Sequence, residues 1–157
     1  MRVFLATLFT LVVVTGCAAA DLAIVRVWPG YRTAESFERI SEYFGKDEDP
    51  HGQLVFRTEP NIRAGYYFLV RLKNTGAAVD AKIELQVITP FTTDTKTYTF
   101  SSTVAPGSHA FQLGLTGTDW PAQPKDEVVA WQLRLLSASG DELAKAQSNL
   151  WALPDKK

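Results

Sequence analysis

From residue 66 onward, apolar and polar side chains alternate almost one for one. Tyr66, Phe68, Val70 and Leu72 fall on one side of an extended chain, with Arg71 and Lys73 on the other. Ala81, Ile83, Leu85 and Val87 repeat the pattern around Lys82, Glu84 and Gln86. Tyr98, Phe100 and Val104 follow among threonines and serines, then Phe111, Leu113 and Leu115, then Val129, Trp131, Leu133 and Leu135. A period of two is the mark of a strand with one packed and one wet face. A further strand is expected from Glu142 to Trp151; its alternation is broken, which predicts a bulge or an edge position. Two earlier strands are expected at Leu22–Trp28 and Gln53–Thr58.

The breaks carry turn chemistry. Asn74-Thr75-Gly76 ends one strand, Ala105-Pro106-Gly107-Ser108 suits a type II turn, and Ser139-Gly140-Asp141 suits a hairpin. About seven or eight short strands predict an all-β, antiparallel sandwich of two sheets. One short helix is expected near residues 34–44. Thr33 can cap it, Gly45 can end it, and Ala34, Phe37, Ile40 and Phe44 form a stripe that would plug one end of the core.

Residues 1–20 follow different rules. Arg2 precedes a nearly unbroken apolar run, Val3 to Val14, and small residues follow. This layout predicts an export signal; the run is short of the roughly 20 residues that span a bilayer. The expected division is 1–20 signal, 21–153 one sandwich domain and 154–157 a polar tail. Val14-Thr15-Gly16-Cys17 resembles the lipobox of bacterial lipoproteins. That resemblance implies cleavage before Cys17, lipidation of its thiol and attachment to a membrane. With Ala18 next, it implies sorting to the outer membrane, facing the periplasm. The alternative is ordinary cleavage after Ala18-Ala19-Ala20, which gives a soluble periplasmic or secreted protein.

Either cut leaves one domain of ordinary size: 157 residues less the first 16 is 141. Cys17 is the one cysteine, so no internal disulfide can form. The net charge is −1 and no basic block occurs. That argues against nucleic acid and against electrostatic docking on membranes. Tyr66–Asn74 and Ala130–Trp151 resemble a central strand and a terminal hairpin of the immunoglobulin-like or fibronectin type III-like sandwiches of bacterial envelope proteins. The resemblance is one of architecture and implies no activity.

Reactive chemistry is sparse. His51 and His109 have no histidine or cysteine at metal-ligand spacing. No Gly-x-Ser-x-Gly stretch frames a nucleophile. Asp47-Glu48-Asp49 does not fit a calcium loop, and Gly114-Leu115-Thr116-Gly117 lacks the Gly-Lys-Ser/Thr of a phosphate loop. No enzyme, metal or cofactor is therefore expected. Among the tryptophans, Trp131 is expected in the core. Trp28, Tyr31 and Trp120 are the candidates for a binding surface, although aromatics in such loops also seal cores. The expected function is non-catalytic contact with an envelope protein. The alternatives are a glycan-binding module that stacks sugars on those aromatics, and an assembly factor that lends a sheet edge to a partner strand.

Overall fold

The computed structural model describes residues 21–37, 54–121 and 126–151. They form two four-stranded sheets. Sheet A has the order β1(Leu22–Arg32), β3(Gly65–Asn74), β6(Gly107–Thr116), β2(Leu54–Arg57). Sheet B has the order β5(Thr95–Val104), β4(Val79–Ile88), β7(Ala130–Ser137), β8(Glu142–Gln147). The chain is an all-β sandwich, as its alternation requires. The described residues contain no helix long and apolar enough to cross a membrane.

The inward positions of both sheets meet in one core. Phe68, Val70 and Leu72 of β3 and Phe111, Leu113 and Leu115 of β6 face Ile83, Leu85 and Val87 of β4 and Leu133 and Leu135 of β7. At the edges Phe56 of β2 lies 5.6 Å from Phe100 of β5, so the flanks are closed by aromatic contact. Trp131 is half-buried and meets Phe68 edge-to-face, with centroids 5.8 Å apart. Asn74, only 3 % exposed, is a polar pin at the end of β3. Its amide donates to the carbonyls of Ala77 and Val104, and its oxygen accepts from Gly76 N–H. Gly107 turns the chain from β5 to β6 at φ 112°, the left-handed geometry that the Pro-Gly pair favours.

Four details depart from the expected pattern. β1 does not stop at Trp28 but runs through Pro29 to Arg32. An edge strand tolerates proline because one of its sides pairs with nothing. β2 pairs with β6 in parallel, from Leu54 opposite Phe111 to Arg57 opposite Gly114, whereas every other pairing is antiparallel. Alternation reads the same in both directions, so it does not encode this. β8 ends at Gln147, and its register shifts at Leu135/Leu136, the bulge that its broken pattern suggested. Finally, Ala34–Phe37 is a single 3-10 turn. The rest of the expected helix, including Ile40 and Phe44, lies outside the described residues. Phe37 does not plug the end of the core. Its ring packs 4.8 Å from Tyr67, which belongs to the outer side of sheet A.

Candidate functional site

The outer side of sheet A is built by the same alternation that fills the core. On β1 the outward positions are Ala23, Arg26, Trp28, Gly30 and Arg32; a register shift between Ile24 and Arg26 sets that phase. On β3 they are Gly65, Tyr67, Leu69, Arg71 and Lys73, and on β6 Ser108, Ala110, Gln112, Gly114 and Thr116. Cross-strand pairing sets Arg26 opposite Arg71, Trp28 opposite Leu69, and Gly30 opposite Tyr67. β2 adds Val55 and Arg57. None of these strand positions is a carboxylate. Among the described residues, none of Arg26, Arg32, Arg71 and Lys73 is ion-paired with an acid.

Arginines and aromatics interleave across this face. The guanidinium of Arg26 lies 4.8 Å from the Trp28 ring centroid, and that of Arg71 lies 5.6 Å from it. Arg32 and Arg57 flank Phe37 at 4.7 and 5.0 Å. Such stacking, worth ~0.5–1 kcal/mol per exposed pair, lets like charges sit side by side because the ring faces offset part of their repulsion. It also aligns the planar donor forks that bind carboxylates in pairs.

Sheet B is the contrast. Its outward charges are of both signs, and Arg134 meets Glu84 at 3.2 Å and Glu142 at 2.8 Å. An open depression of about 460 Å³ over Asp80, Lys82 and Ser101–Thr103 carries one carboxylate, already bound by the Thr103 hydroxyl. Sheet B thus carries acids and bases together, Asp80, Glu84 and Glu142 beside Lys82, Arg134 and Lys145.

The three aromatics singled out by sequence do not share a surface. Trp28 is on the outer face of sheet A. Tyr31, three positions on, points the other way and packs against the core. Trp120 is 3 % exposed and lies in the core, 4.5 Å from Tyr66 and 5.4 Å from Phe91. It seals the sandwich, as loop tryptophans commonly do. Among the described residues its Nε1 has no hydrogen-bond partner, contrary to the usual arrangement. His109 Nε2–H donates to the carbonyl of Ala105 at 2.8 Å and tightens the β5–β6 turn. Gly114 belongs to a strand, and no phosphate cradle forms around it. Cys17, His51 and Asp47-Glu48-Asp49 lie outside the described residues. Among the described residues, no group of three His, Cys, Asp or Glu side chains could hold a metal.

Sequence reasoning missed the arginines. Arg26, Arg32, Arg57 and Arg71 are far apart in the chain, and each has an ordinary strand neighbourhood. The signal was present only in combination: the polar positions of strands β1 and β3 are basic, and those of β4 and β7 are mixed. No protein family, curated protein or solved structure matches the chain.

Proposed function

We propose that this chain is an exported, lipid-tethered envelope protein without catalytic activity, and that it works by contact through the outer face of sheet A. The observation that carries this reading is that the described strand positions of that face carry basic side chains and no acidic one. A chain of net charge −1 sets four arginines and Lys73 on one sheet surface and interleaves the arginines with aromatic rings. Arginine and tryptophan are the side chains that most often dominate protein contacts. An acidic partner would be steered to this face and away from the mixed-charge face of sheet B.

The tether rests on the Val14–Cys17 sequence. Strand β1 begins five residues after Cys17, a reach of roughly 17 Å at most. A lipid on Cys17 would therefore keep the sandwich close to its membrane. In the Cys17→Ala variant the protein is expected to move from the membrane to the soluble fraction; unchanged partition would remove the tether.

The contact itself is tested by crosslinking in the intact envelope. Wild type should give a defined adduct, and the double variant Arg26→Gln/Arg71→Gln should lose it. Equal adducts from both proteins would overturn the proposal for this face.

A further inference from the structure

Tyr67 stands in a cross-strand row between two glycines, Gly30 on β1 and Gly114 on β6. Its ring leans onto β6: a Cβ added to Gly114 would lie 2.4 Å from it. Its hydroxyl is fixed there, accepting from Arg57 Nε at 2.8 Å and donating to the Arg63 carbonyl at 2.7 Å. The β1 side of the row is thereby left open. A Cβ added to Gly30 meets nothing within 4 Å. The result is an open pocket of about 180 Å³ over Gly30, lined by Trp28, Arg32, Tyr67, Leu69 and Gln112 among others.

Size and lining narrow what it can take. Pockets that enclose small molecules run to ~300–1,000 Å³, so this one suits a single side chain. Trp28 and Leu69 give it apolar walls. Arg32 stands at one end, braced by its Nη1 bond to Gln112 Oε1 at 2.7 Å and by the Phe37 ring. That brace leaves the guanidinium with further N–H groups and, among the described residues, without a carboxylate. A sugar ring would need a bare aromatic floor. Trp28 is already stacked by guanidinium groups, and Tyr67 lies on Gly114.

We propose that the pocket over Gly30 receives one acidic side chain, aspartate or glutamate, from a protein docked on sheet A. Its carboxylate meets Arg32, and its stem lies against Trp28 and Leu69. The inference rests on the reading of this face as the contact surface and adds the chemistry of the group that enters it.

The test is an NMR titration of the intact protein in detergent, with N-acetyl-glutamate amide as probe and N-acetyl-glutamine amide as its neutral isostere. The Gly30 amide signal should move saturably with the acid, at a Kd on the order of millimolar, and stay still with the isostere. Gly30→Leu fills the cavity and should weaken binding at least tenfold. The side chain enters open space and the backbone is not left-handed, so the fold should be kept; Gly30→Ala is the gentler variant if it is not. Equal response to the neutral isostere overturns the inference. So does a response to glucuronate or glycerol phosphate without one to the glutamate probe. If Gly30→Leu binds the probe like wild type while crosslinking still depends on Arg26 and Arg71, the pocket fails and the contact face stands. Crosslinking that ignores both arginines removes the face itself.

Discussion

Single residues decide where this sandwich is closed and where it is open. Gly114 and Gly30 flank the same tyrosine and have opposite tolerances. Gly114→Ala drives a methyl group into the Tyr67 ring, which its two hydroxyl hydrogen bonds hold in place. A loss of about 1–3 kcal/mol in chemical denaturation is expected, the usual cost of overpacking. Gly30→Ala should be neutral or slightly stabilising, since it stiffens the unfolded chain and meets no neighbour. A Gly114→Ala protein as stable as wild type would mean that Tyr67 is free to move off β6. Neither tolerance could be read from the sequence. The sequence places Gly30 beyond the end of its strand at Trp28, and only the register shows which glycine the ring leans on. The tryptophans were half legible for a related reason. Composition marks them as anchors, but whether an anchor faces solvent or core depends on the phase of its strand. At β1 the shift between Ile24 and Arg26 fixes that phase.

At the scale of elements the sequence was far more readable. Strands β3 to β7 announce themselves through period-two alternation, the other three are legible less cleanly, and proline and glycine turns separate several of them. What alternation leaves out is direction and partner, so the parallel pairing of β2 was invisible. Turn signals can also mislead at an edge, as Pro29 did in β1. The end of sheet B is tied to the loop after β6 through Tyr98, whose hydroxyl donates to Asp119 Oδ1 at 2.9 Å. Lys96 stands near the same carboxylate, at 4.0 Å. Burial pushes the Tyr98 phenol well above its ordinary value, and the bond to Asp119 pushes it further. Tyr66 is raised too, by burial first and then by Glu127. A phenol whose pKa is raised on folding contributes stability that is whole below the unfolded value of ~10 and is lost as pH climbs toward the folded one. The unfolding temperature should therefore fall above about pH 10, and Tyr98→Phe should flatten that fall. An unchanged alkaline slope in the variant would show that Tyr98 is ionised as easily in the folded protein as in the unfolded one. On the acid side, Glu59 is held below the usual carboxylate range by the Thr118 N–H and, next, by the Thr118 hydroxyl.

For the molecule as a whole, the division of charge between its two faces is the finding that composition concealed. Near-neutral net charge speaks only against nucleic acid and electrostatic docking on membranes, because the sum hides the arrangement. Folding sorts the charges. On sheet B acids and bases are mixed and Arg134 is paired with Glu84 and Glu142, while arginines from β1, β2 and β3 converge on sheet A around Trp28 and Phe37. Strand alternation sends every second residue outward, so a face is specified by residues that are never adjacent in the chain. That is why the fold was legible in the sequence and the basic face was not. The most direct check compares the two faces inside the cell. A photo-crosslinking side chain at Ala110, beside Arg71 on sheet A, is set against one at Thr99, opposite Glu84 on sheet B. Position 110 should capture a discrete partner and lose it in Arg26→Gln/Arg71→Gln, while position 99 should capture none. Capture from position 99 alone, or equally from both, would contradict the account.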